Sequence, residues 1–488
     1  MASVRRALAW SFIGQFLSFS VTFGGSVAVA RLLSPREMGV YAIASATVAI
    51  ISLISTSGAG AYVVRAHELH DGTLDSAFTV SAMLSVVMAA VIYGASALQG
   101  TLVHEPGAGQ VLRWLAWAPL IGILEFRPAT LLQREMQFKT ISIVNTSKTA
   151  LGVATTIAAA ARGNSYMSMA YGTLSSALCG AVLFNLVARQ HAGVRMSLSR
   201  WRPIAVFGLR MISISGVATV ANRLSDIILG RLLGLAALGL YGRASSMANL
   251  LFSEVYGAAT RVIFVQLAAD YRRTGTLRES FLRGLEMVTG VFWPIVIGTA
   301  VLARPLVFRL YGDRWMAAAL PLSLLMVAQF VVLSFGMNWE LFVLKDETAR
   351  QTKIEFLRAV VSVATFTIGC LFSLAAAALG RVAEALVGLA LYRGHVSRLA
   401  DARRGEIGRI YGRSARLTVA AVLPSAVLML ATHWSKDVSL WWLAAAVSAG
   451  IGCWIALLWL LRHPLFDELR RIRARLSIAP ASQERREA

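Results

Sequence analysis

Two stretches of the chain that lie 200 residues apart share one pattern, and this pattern decides the fold. Residues 30–45 read ARLLSPREMGVYAIAS, and residues 230–245 read GRLLGLAALGLYGRAS. Both copies fit RLL-x5-G-x-Y-x2-AS; the matched residues are Arg31, Leu32, Leu33, Gly39, Tyr41, Ala44 and Ser45 in the first and Arg231, Leu232, Leu233, Gly239, Tyr241, Ala244 and Ser245 in the second. A match at one fixed offset indicates an internal duplication, a common plan among membrane transporters.

The sequence around the two copies is too apolar for a soluble protein. Of the 488 residues, 57% are hydrophobic and 15% are charged. Soluble domains are ~45–50% apolar and ~25% charged, so these values argue against a soluble enzyme and against a disordered protein. Cys179, Cys370 and Cys453 lie inside apolar runs without metal-binding spacing, and neither a metal nor a cofactor is expected. The composition predicts an all-α polytopic membrane protein.

Apolar runs of ~17–25 residues, long enough to cross a bilayer as helices, number about fourteen. The twelfth, at residues 382–391, is short and contains Glu384. The repeat matches spans one and two to spans seven and eight, so both copies have the same orientation in the membrane. This predicts two pseudo-symmetric six-helix lobes and two further helices. The predicted bounds are 1–188 for the first lobe, 189–203 for a cytoplasmic basic linker, 204–393 for the second lobe, 394–461 for a basic loop with two additional transmembrane helices, and 462–488 for a cytoplasmic basic tail.

The cationic residues predict the orientation. Lys and Arg number 47 against 25 Asp and Glu, which gives a net charge of +22. When successive connections are assigned to opposite sides, about two thirds of these cations, with Arg358 among them, fall on the side of the N-terminus. This bias predicts a bacterial inner-membrane protein with both termini in the cytoplasm and with membrane lipids as partners of its basic segments. Nucleic-acid binding requires a basic soluble surface and is not expected.

Four segments together resemble a known family. They read ARLLSPREMGVYAIA (30–44), LLQREMQFK (131–139), NRLSDIILGRLLGLAALGLYGRA (222–244) and RPLVFRLYGDRWMAAALPL (304–322). In this order they resemble the Wzx-type oligosaccharide flippases, the polysaccharide-transporter branch of the multidrug/oligosaccharidyl-lipid/polysaccharide (MOP) superfamily. The resemblance covers about residues 1–395. It implies two six-helix lobes in a V around a central cavity.

The same resemblance implies a substrate and partners. The substrate would be an undecaprenyl-diphosphate-linked oligosaccharide repeat unit, moved from the cytoplasmic to the periplasmic leaflet for exopolysaccharide, capsule or lipopolysaccharide O-antigen assembly. A polysaccharide polymerase and chain-length or export proteins would be its partners.

Polar residues at helical spacing predict a binding cavity within the membrane. Such stripes occur in spans one, five, seven and eight, and an ionisable residue in a span is costly unless it has a function. Arginine matches phosphate oxygens with its forked donors, and amides suit sugar hydroxyls. The predicted substrate-binding residues are Arg223, Arg243, Lys148, Arg261 and Arg210 for the diphosphate or the cavity mouth, and Gln15, Asn145 and Asn222 for the sugars; Asp226 and Glu254 are the candidates for ion coupling.

Structural roles stay open for several of these residues. Arg223 and Asp226 are three residues apart and also fit an intrahelical ion pair. Arg243, Glu254 and Arg261 also fit structural bridges between the lobes.

Two other functions compete with the flippase hypothesis. A cation-coupled drug exporter of the same superfamily needs carboxylates within the membrane, but the first lobe's spans hold Glu125 alone, placed near their cytoplasmic end. A membrane enzyme of polysaccharide assembly needs a large extramembrane loop with catalytic groups, and the predicted outer loops at 99–111 and 303–316 offer few. No GxxxxGK[ST] motif for ATP is present in the sequence, so a transporter and not an enzyme is predicted.

Overall fold

The computed structural model describes residues 2–53, 58–65, 72–102, 105–191, 193 and 195–466, with the side chains of all but 2–13, 98–102, 191, 209–218, 251–255, 258 and 262. Over these residues the chain is all-α and contains no strand. The helices are α1 (Ala2–Leu32), α2 (Pro35–Ser52), α3 (Ala59–Arg65), α4 (Thr73–Leu102), α5 (Pro106–Leu115), α6 (Trp117–Arg134), α7 (Phe138–Ala161), α8 (Met167–Val187), α9 (Trp201–Leu232), α10 (Leu235–Thr274), α11 (Arg278–Val301), α12 (Ala303–Tyr311), α13 (Ala319–Ser334), α14 (Asn338–Leu344), α15 (Thr348–Cys370), α16 (Leu374–Leu399), α17 (Glu406–Ala431) and α18 (Leu440–Leu460).

Many of these helices are long and apolar enough to cross a membrane. Among the described residues eight segments meet both criteria: Thr73–Ala97, Pro106–Arg134, Met167–Val187, Arg278–Val301, Asp313–Leu344, Leu374–Leu399, Glu406–Ala431 and Leu440–Leu460. The predicted class, an all-α multi-pass membrane protein, is confirmed. The number fourteen stays a prediction.

The chain forms two compact units, Met1–Gly242 and Arg243–Ala488. The continuous helix α10 passes from the first into the second. Helix α9 belongs to the first unit because it packs against α2, α3 and α4. The predicted lobe bounds placed this helix with the second lobe, and those bounds stay a prediction. The predicted linker at 189–203 contains a short 3-10 turn, Arg189–His191, and the first residues of α9.

The first copy of the repeat begins its helix with a capping box. The Glu37 amide donates to Ser34 Oγ at 3.3 Å, and the Ser34 amide donates to a Glu37 carboxylate oxygen at 2.7 Å. Pro35 occupies the first helical turn, where its missing N–H costs no hydrogen bond. In the second copy Gly234, at φ +86°, takes the left-handed backbone before α10 begins. The turn from α1 into α2 and the turn from α9 into α10 are thus formed by different local interactions.

The spacing that the two copies of the repeat share is explained by a glycine in each copy. A Cβ at Gly39 would lie 1.8 Å from the Leu235 carbonyl oxygen, and a Cβ at Gly239 would lie 1.9 Å from the Pro35 carbonyl oxygen. Each copy therefore places its glycine against the first turn of the other copy's helix. This reciprocal glycine contact, Gly39 and Gly239, lies wholly within the first unit and leaves no room for a methyl group.

The two additional helices pack on the second unit through α11. Thr289 and Ser414 hydroxyls are 2.8 Å apart between α11 and α17. The Trp454 indole of α18 donates to the Gly290 carbonyl at 2.9 Å. Since α11 supplies both partners, α17 and α18 form one layer against it.

The basic segment predicted as a loop at 393–416 is mostly helical. Helix α16 ends at Leu399 and α17 begins at Glu406, so the connection is short. Arginine is a good helix former, which explains why the charged helix ends continue beyond the apolar part. Helix α16 also runs through the predicted break at residues 380–381.

An exposed ion-pair cluster joins the start of α15 to the end of α16, and its stability should depend on pH. Two Arg398 nitrogens donate to the Glu347 carboxylate at 2.8 and 2.6 Å, and Arg350 donates at 2.9 Å. These hydrogen bonds, from Arg398 first, lower the pKa of Glu347 from 4.5 to about 2.

A carboxylate whose pKa is lower in the folded state stabilises the fold above its unfolded pKa, and this contribution is lost as pH falls through the folded pKa. We expect the melting temperature of Glu347→Gln in detergent to lie below that of the wild type at pH 7, with a difference that shrinks between pH 4.5 and pH 2. A constant difference across this range would contradict the assignment. Asp346→Asn, next to it in sequence, is the matched control.

Candidate functional site

The first unit holds an ion pair in the middle of its helices. Lys148 Nζ lies 2.8 Å from Glu125 Oε2, and their side chains are 27% and 15% exposed. Lys148 is the eleventh residue of the 24-residue helix α7, about 15 Å from its start at 1.5 Å per residue. A membrane span over the full length of α7 would place Lys148 near the centre of a hydrocarbon core ~30 Å thick. Glu125 is the twentieth of the 29 residues of the span Pro106–Arg134, and its place near the cytoplasmic end stays a prediction.

Helix α8 is the third helix that contacts this ion pair. A Cβ at Gly180 would lie 2.2 Å from Glu125 Oε1 and 2.9 Å from Lys148 Cδ. The Phe184 ring, one turn further along α8, has its centroid 5.9 Å from Lys148 Nζ. The pair thus lies on a bare stretch of helix beside an aromatic face, which suits a cation.

The second unit contains a more elaborate ion pair. Arg358 in α15 donates to Glu384 Oε1 in α16 from Nη2 at 2.7 Å and from Nε at 3.1 Å. It also donates from Nη1 to Glu355 at 2.9 Å, and the Tyr392 hydroxyl donates to Glu355 at 2.6 Å. The guanidinium lies 5.2 Å from the Phe335 ring and 5.9 Å from the Tyr392 ring. The Arg358 and Glu384 side chains are 16% and 12% exposed.

The two ion pairs occupy equivalent positions of the duplicated unit. Lys148 and Arg358 are each the eleventh residue of their helix. Gly388 lies against Arg358 as Gly180 lies against Lys148, since a Cβ there would be 2.9 Å from Arg358 Nε. The aromatic residue follows four positions after the glycine in both helices. Phe335, which contacts Arg358, lies 210 residues after Glu125, the same offset that separates the two cations. Each unit therefore repeats the cation together with three positions around it: the glycine, the aromatic residue four positions later, and the position held by Glu125 in one unit and Phe335 in the other.

The sequence contains a signal for this repeat that the search for polar stripes missed. Residues 169–184 read MAYGTLSSALCGAVLF and residues 377–392 read AALGRVAEALVGLALY, both fitting A-x-G-x4-AL-x-G-x2-L-[FY]. Lys148 and Arg358 are each followed by x4-VAT. Small and apolar matches are inconspicuous in a membrane protein, and the positive-inside count had assigned Arg358 to a cytoplasmic segment. The structure places it mid-helix instead.

Arg223 and Asp226 form the intrahelical ion pair that their spacing in the sequence allowed as an alternative role. Arg223 Nη1 donates to Asp226 Oδ2 at 3.2 Å, with 45% and 23% of the side chains exposed. Asn222 beside them is exposed. Arg261 is exposed as well, and its Nε donates to the Gly257 carbonyl of its own helix at 2.9 Å. Exposed intrahelical contacts of this kind are weak.

Arg243 is enclosed by aromatic rings. It is 7% exposed, and its guanidinium lies 5.1 Å from the Tyr311 ring and 5.5 Å from the Trp315 ring. Both rings belong to the segment RPLVFRLYGDRWMAAALPL that carries part of the family resemblance. Among the described cations of the predicted site, Arg243 is therefore the least accessible.

The polar stripes of spans one and five serve partly as helix contacts. The Ser18 and Thr146 hydroxyls are 3.1 Å apart between α1 and α7. Gly152 of α7 packs on Gly172 of α8. Gln15 on α1 is exposed, and Asn145, three residues before Lys148, is half-buried. The side chains of Arg210 and Glu254, also predicted site residues, lie outside the described residues.

A cavity of about 470 Å³ also lies in the first unit, apart from these residues. Its polar lining comes from Tyr41, Ser45, Ser52, Thr173 and Thr219, with Tyr41 and Thr173 hydroxyls 2.9 Å apart. None of the predicted site residues whose side chains are described lines it.

Comparison with known proteins gives a consistent family. The family described as polysaccharide biosynthesis protein matches residues 28–320. The lipopolysaccharide biosynthesis protein WzxC of Escherichia coli (strain K12) is 23% identical over 320 residues, which are 65% of this chain and 65% of WzxC. The succinoglycan biosynthesis transport protein ExoT of Rhizobium meliloti (strain 1021) is 24% identical over 331 residues, 68% of this chain and 67% of ExoT. The matched region thus spans about two thirds of these curated relatives.

Two solved structures share the fold. The Lipid II flippase MurJ, in an inward closed conformation, aligns with a TM-score of 0.69 at 13% identity, covering 94% of this chain and 100% of MurJ. An inward-facing multidrug resistance MATE family transporter of the MOP superfamily aligns with a TM-score of 0.58 at 17% identity, covering 79% and 96%. The predicted resemblance is confirmed. The chain belongs to the polysaccharide biosynthesis protein family and has the fold of the MOP superfamily.

Proposed function

We propose that this protein flips an undecaprenyl-diphosphate-linked oligosaccharide repeat unit from the cytoplasmic to the periplasmic leaflet of the bacterial inner membrane, by alternating access. It acts as a transporter without enzymatic activity, with both termini in the cytoplasm. The flipped unit then passes to a polysaccharide polymerase and to chain-length or export proteins.

One observation carries this proposal: the family match over residues 28–320 coincides with a fold that aligns to a lipid flippase over 94% of the chain. Relatives in this family are named for lipopolysaccharide, succinoglycan and teichuronic acid biosynthesis. Polymers of this kind are assembled from sugars that must cross the membrane. The unit that crosses is the substrate we assign to this chain.

The proposed binding residues divide by chemistry. Lys148, Arg223 and Arg261 are the accessible cations for the diphosphate, and Arg210 and Arg243 complete the set. Gln15, Asn145 and Asn222 offer amides to sugar hydroxyls. Asp226 and Glu254 are the proposed ion-coupling carboxylates.

Flipping is tested with the purified protein in liposomes. A fluorescent short-chain prenyl diphosphate sugar is placed in both leaflets, and a glycosidase added outside removes the sugar from the outer leaflet. We expect the protein to make the inner-leaflet pool accessible without ATP, because the sequence contains no nucleotide-binding motif. Protein-free liposomes are the control.

The drug-exporter alternative predicts a different result in the same liposomes. In the first unit, Glu125 is neutralised by Lys148, which removes the charge that would attract a cationic drug. Movement of ethidium driven by an ion gradient, with no acceleration of the prenyl diphosphate sugar, would contradict the flippase proposal.

A further inference from the structure

The two equivalent ion pairs differ in how completely the cation is occupied. Arg358 uses Nε, Nη1 and Nη2 on two carboxylates and lies beside two aromatic rings that stack on each other. Lys148 carries three N–H donors, and Glu125 accepts one of them at 2.8 Å. The Lys148 side chain is 27% exposed against 16% for Arg358. The second unit therefore holds its cation firmly, and the first unit holds it by a single carboxylate.

The difference follows from where each unit keeps its acidic residues. At the positions of Glu355 and Glu384 the first unit has Asn145 and Ser176, offset by 210 and 208 residues. At the position of Glu125 the second unit has Phe335. Lys148 thus has one carboxylate partner, and the positions aligned with Glu355 and Glu384 hold neutral polar residues, whereas Arg358 has two carboxylate partners. Ammonium and phosphate attract each other strongly, and neutral residues at these two positions do not compete with a phosphate for the ammonium as carboxylates would.

We propose that Glu125 is an internal counter-ion that competes with the phosphate group of a lipid-linked anion for Lys148. In the empty protein Glu125 and Lys148 neutralise each other, so that neither side chain is an uncompensated charge. A phosphate that reaches Lys148 displaces the carboxylate, and the return of Glu125 expels the phosphate. Glu125 is thus a positioning and specificity residue, since a ligand without an anionic group cannot displace it. The inference rests on the proposed function for the identity of the lipid.

The geometry supports an exchangeable carboxylate. Glu125 and Lys148 come from different helices, α6 and α7, so a rotamer change of either side chain separates them without unwinding a helix. Gly180 carries no side chain, so Glu125 Oε1 and Lys148 Cδ lie directly against the α8 backbone and no α8 side chain at this position separates them from each other. The other charged group of this part of α6, Arg127, is engaged with Asp75 of α4 at 2.7 Å and leaves Glu125 to Lys148.

The test is equilibrium binding of a fluorescent prenyl diphosphate sugar to the full-length protein in phosphatidylcholine nanodiscs. Lys148→Met is expected to weaken binding about tenfold or more, and Glu125→Gln is expected to tighten it about tenfold, the change that ~1.4 kcal/mol of lost competition gives. Glu384→Gln is the matched control in the other unit and should bind within about twofold of the wild type. A structural role for Glu125 predicts weaker binding in Glu125→Gln.

A second variant serves as the control for correct folding. Lys148→Met combined with Glu125→Gln removes both charges, so it should keep the wild-type melting temperature and bind as weakly as Lys148→Met alone. Wild-type binding together with unchanged or weaker binding by Glu125→Gln overturns the inference and leaves the proposed function standing. Absence of binding by the wild type overturns both.

The anion that reaches Lys148 is either the transported lipid or a bulk anionic headgroup, since the diphosphate of the first and the phosphodiester of the second both present phosphate oxygens. Phosphatidylglycerol added to the discs of Glu125→Gln separates them. Displacement of the probe assigns the site to bulk headgroups, and retention of the probe assigns it to the transported lipid.

Discussion

Replacing Gly239 by alanine is expected to lower polymer export about tenfold or more while the protein still inserts into the membrane. The added methyl would lie 1.9 Å from the Pro35 carbonyl oxygen, where no Cβ fits. The backbone oxygen cannot move away as a flexible side chain would, so α2 and α10 must separate. Transport cycles through states of similar free energy, and each 1.4 kcal/mol against one of them removes about tenfold of its population. Gly39→Ala, on the other side of the same contact, should have the same effect.

Gly242 offers a matched control three residues further along α10. A Cβ at Gly242 meets no atom within 4 Å. Alanine in a helix is favoured over glycine by about 1 kcal/mol, and this gain applies equally to both variants. Polymer export in a deletion strain, corrected for protein level in the membrane, should therefore be normal for Gly242→Ala. Normal export by Gly239→Ala as well would show that the glycine contact plays no part in transport.

Replacing Arg358 by methionine is expected to destabilise the protein by about 3–5 kcal/mol, as loss of one partner of a buried ion pair commonly does. Methionine keeps much of the volume, so the effect comes from Glu384 and Glu355, which lose their common cation. Glu384→Gln should cost less, because Arg358 keeps its bond to Glu355 at 2.9 Å. The melting temperature in detergent should therefore be highest for the wild type, lower for Glu384→Gln and lowest for Arg358→Met.

The double variant Arg358→Met with Glu384→Gln separates charge from packing. If the uncompensated carboxylate is the cause, removing Glu384 as well should restore part of the lost melting temperature. A double variant as unstable as the sum of the two single variants would indicate that Arg358 acts through packing on Phe335 and Tyr392 instead. Export by the double variant is expected to follow its stability, since this pair is assigned no contact with substrate.

The fold class could be predicted from the sequence because its determinants are local and repetitive. Composition and the length of the apolar runs define a multi-pass helical protein, and the segments at 30–45 and 230–245 define the duplication. The short twelfth span was underestimated because Arg381 and Glu384 lower the hydropathy of a helix that is continuous from Leu374 to Leu399. The sequence around a charged residue in a helix does not tell whether a residue of another helix neutralises its charge.

The site was harder to predict because a polar residue in a span has several uses that sequence spacing cannot separate. Ser18 bonds to Thr146 of another helix, and Arg243 is enclosed by aromatic rings from residues 311 and 315. Lys148 was singled out from the sequence as a candidate cation, but its partner Glu125 comes from the preceding helix, in no helical register with it. Pairs across helices depend on packing, which a single sequence does not display.

The equivalent cations also bear on how such a protein could have arisen. Two copies with the predicted common membrane orientation would descend naturally from a parallel homodimer of one shorter chain. In that ancestor both subunits would have carried the same residue at each position around the cation, so both sites would have been filled or both exchangeable. Fusion into one gene removed this constraint, and the halves could then diverge until Lys148 kept one carboxylate and Arg358 gained two. A division of labour between a mobile and a fixed charge is therefore open to the fused chain and closed to a symmetric dimer.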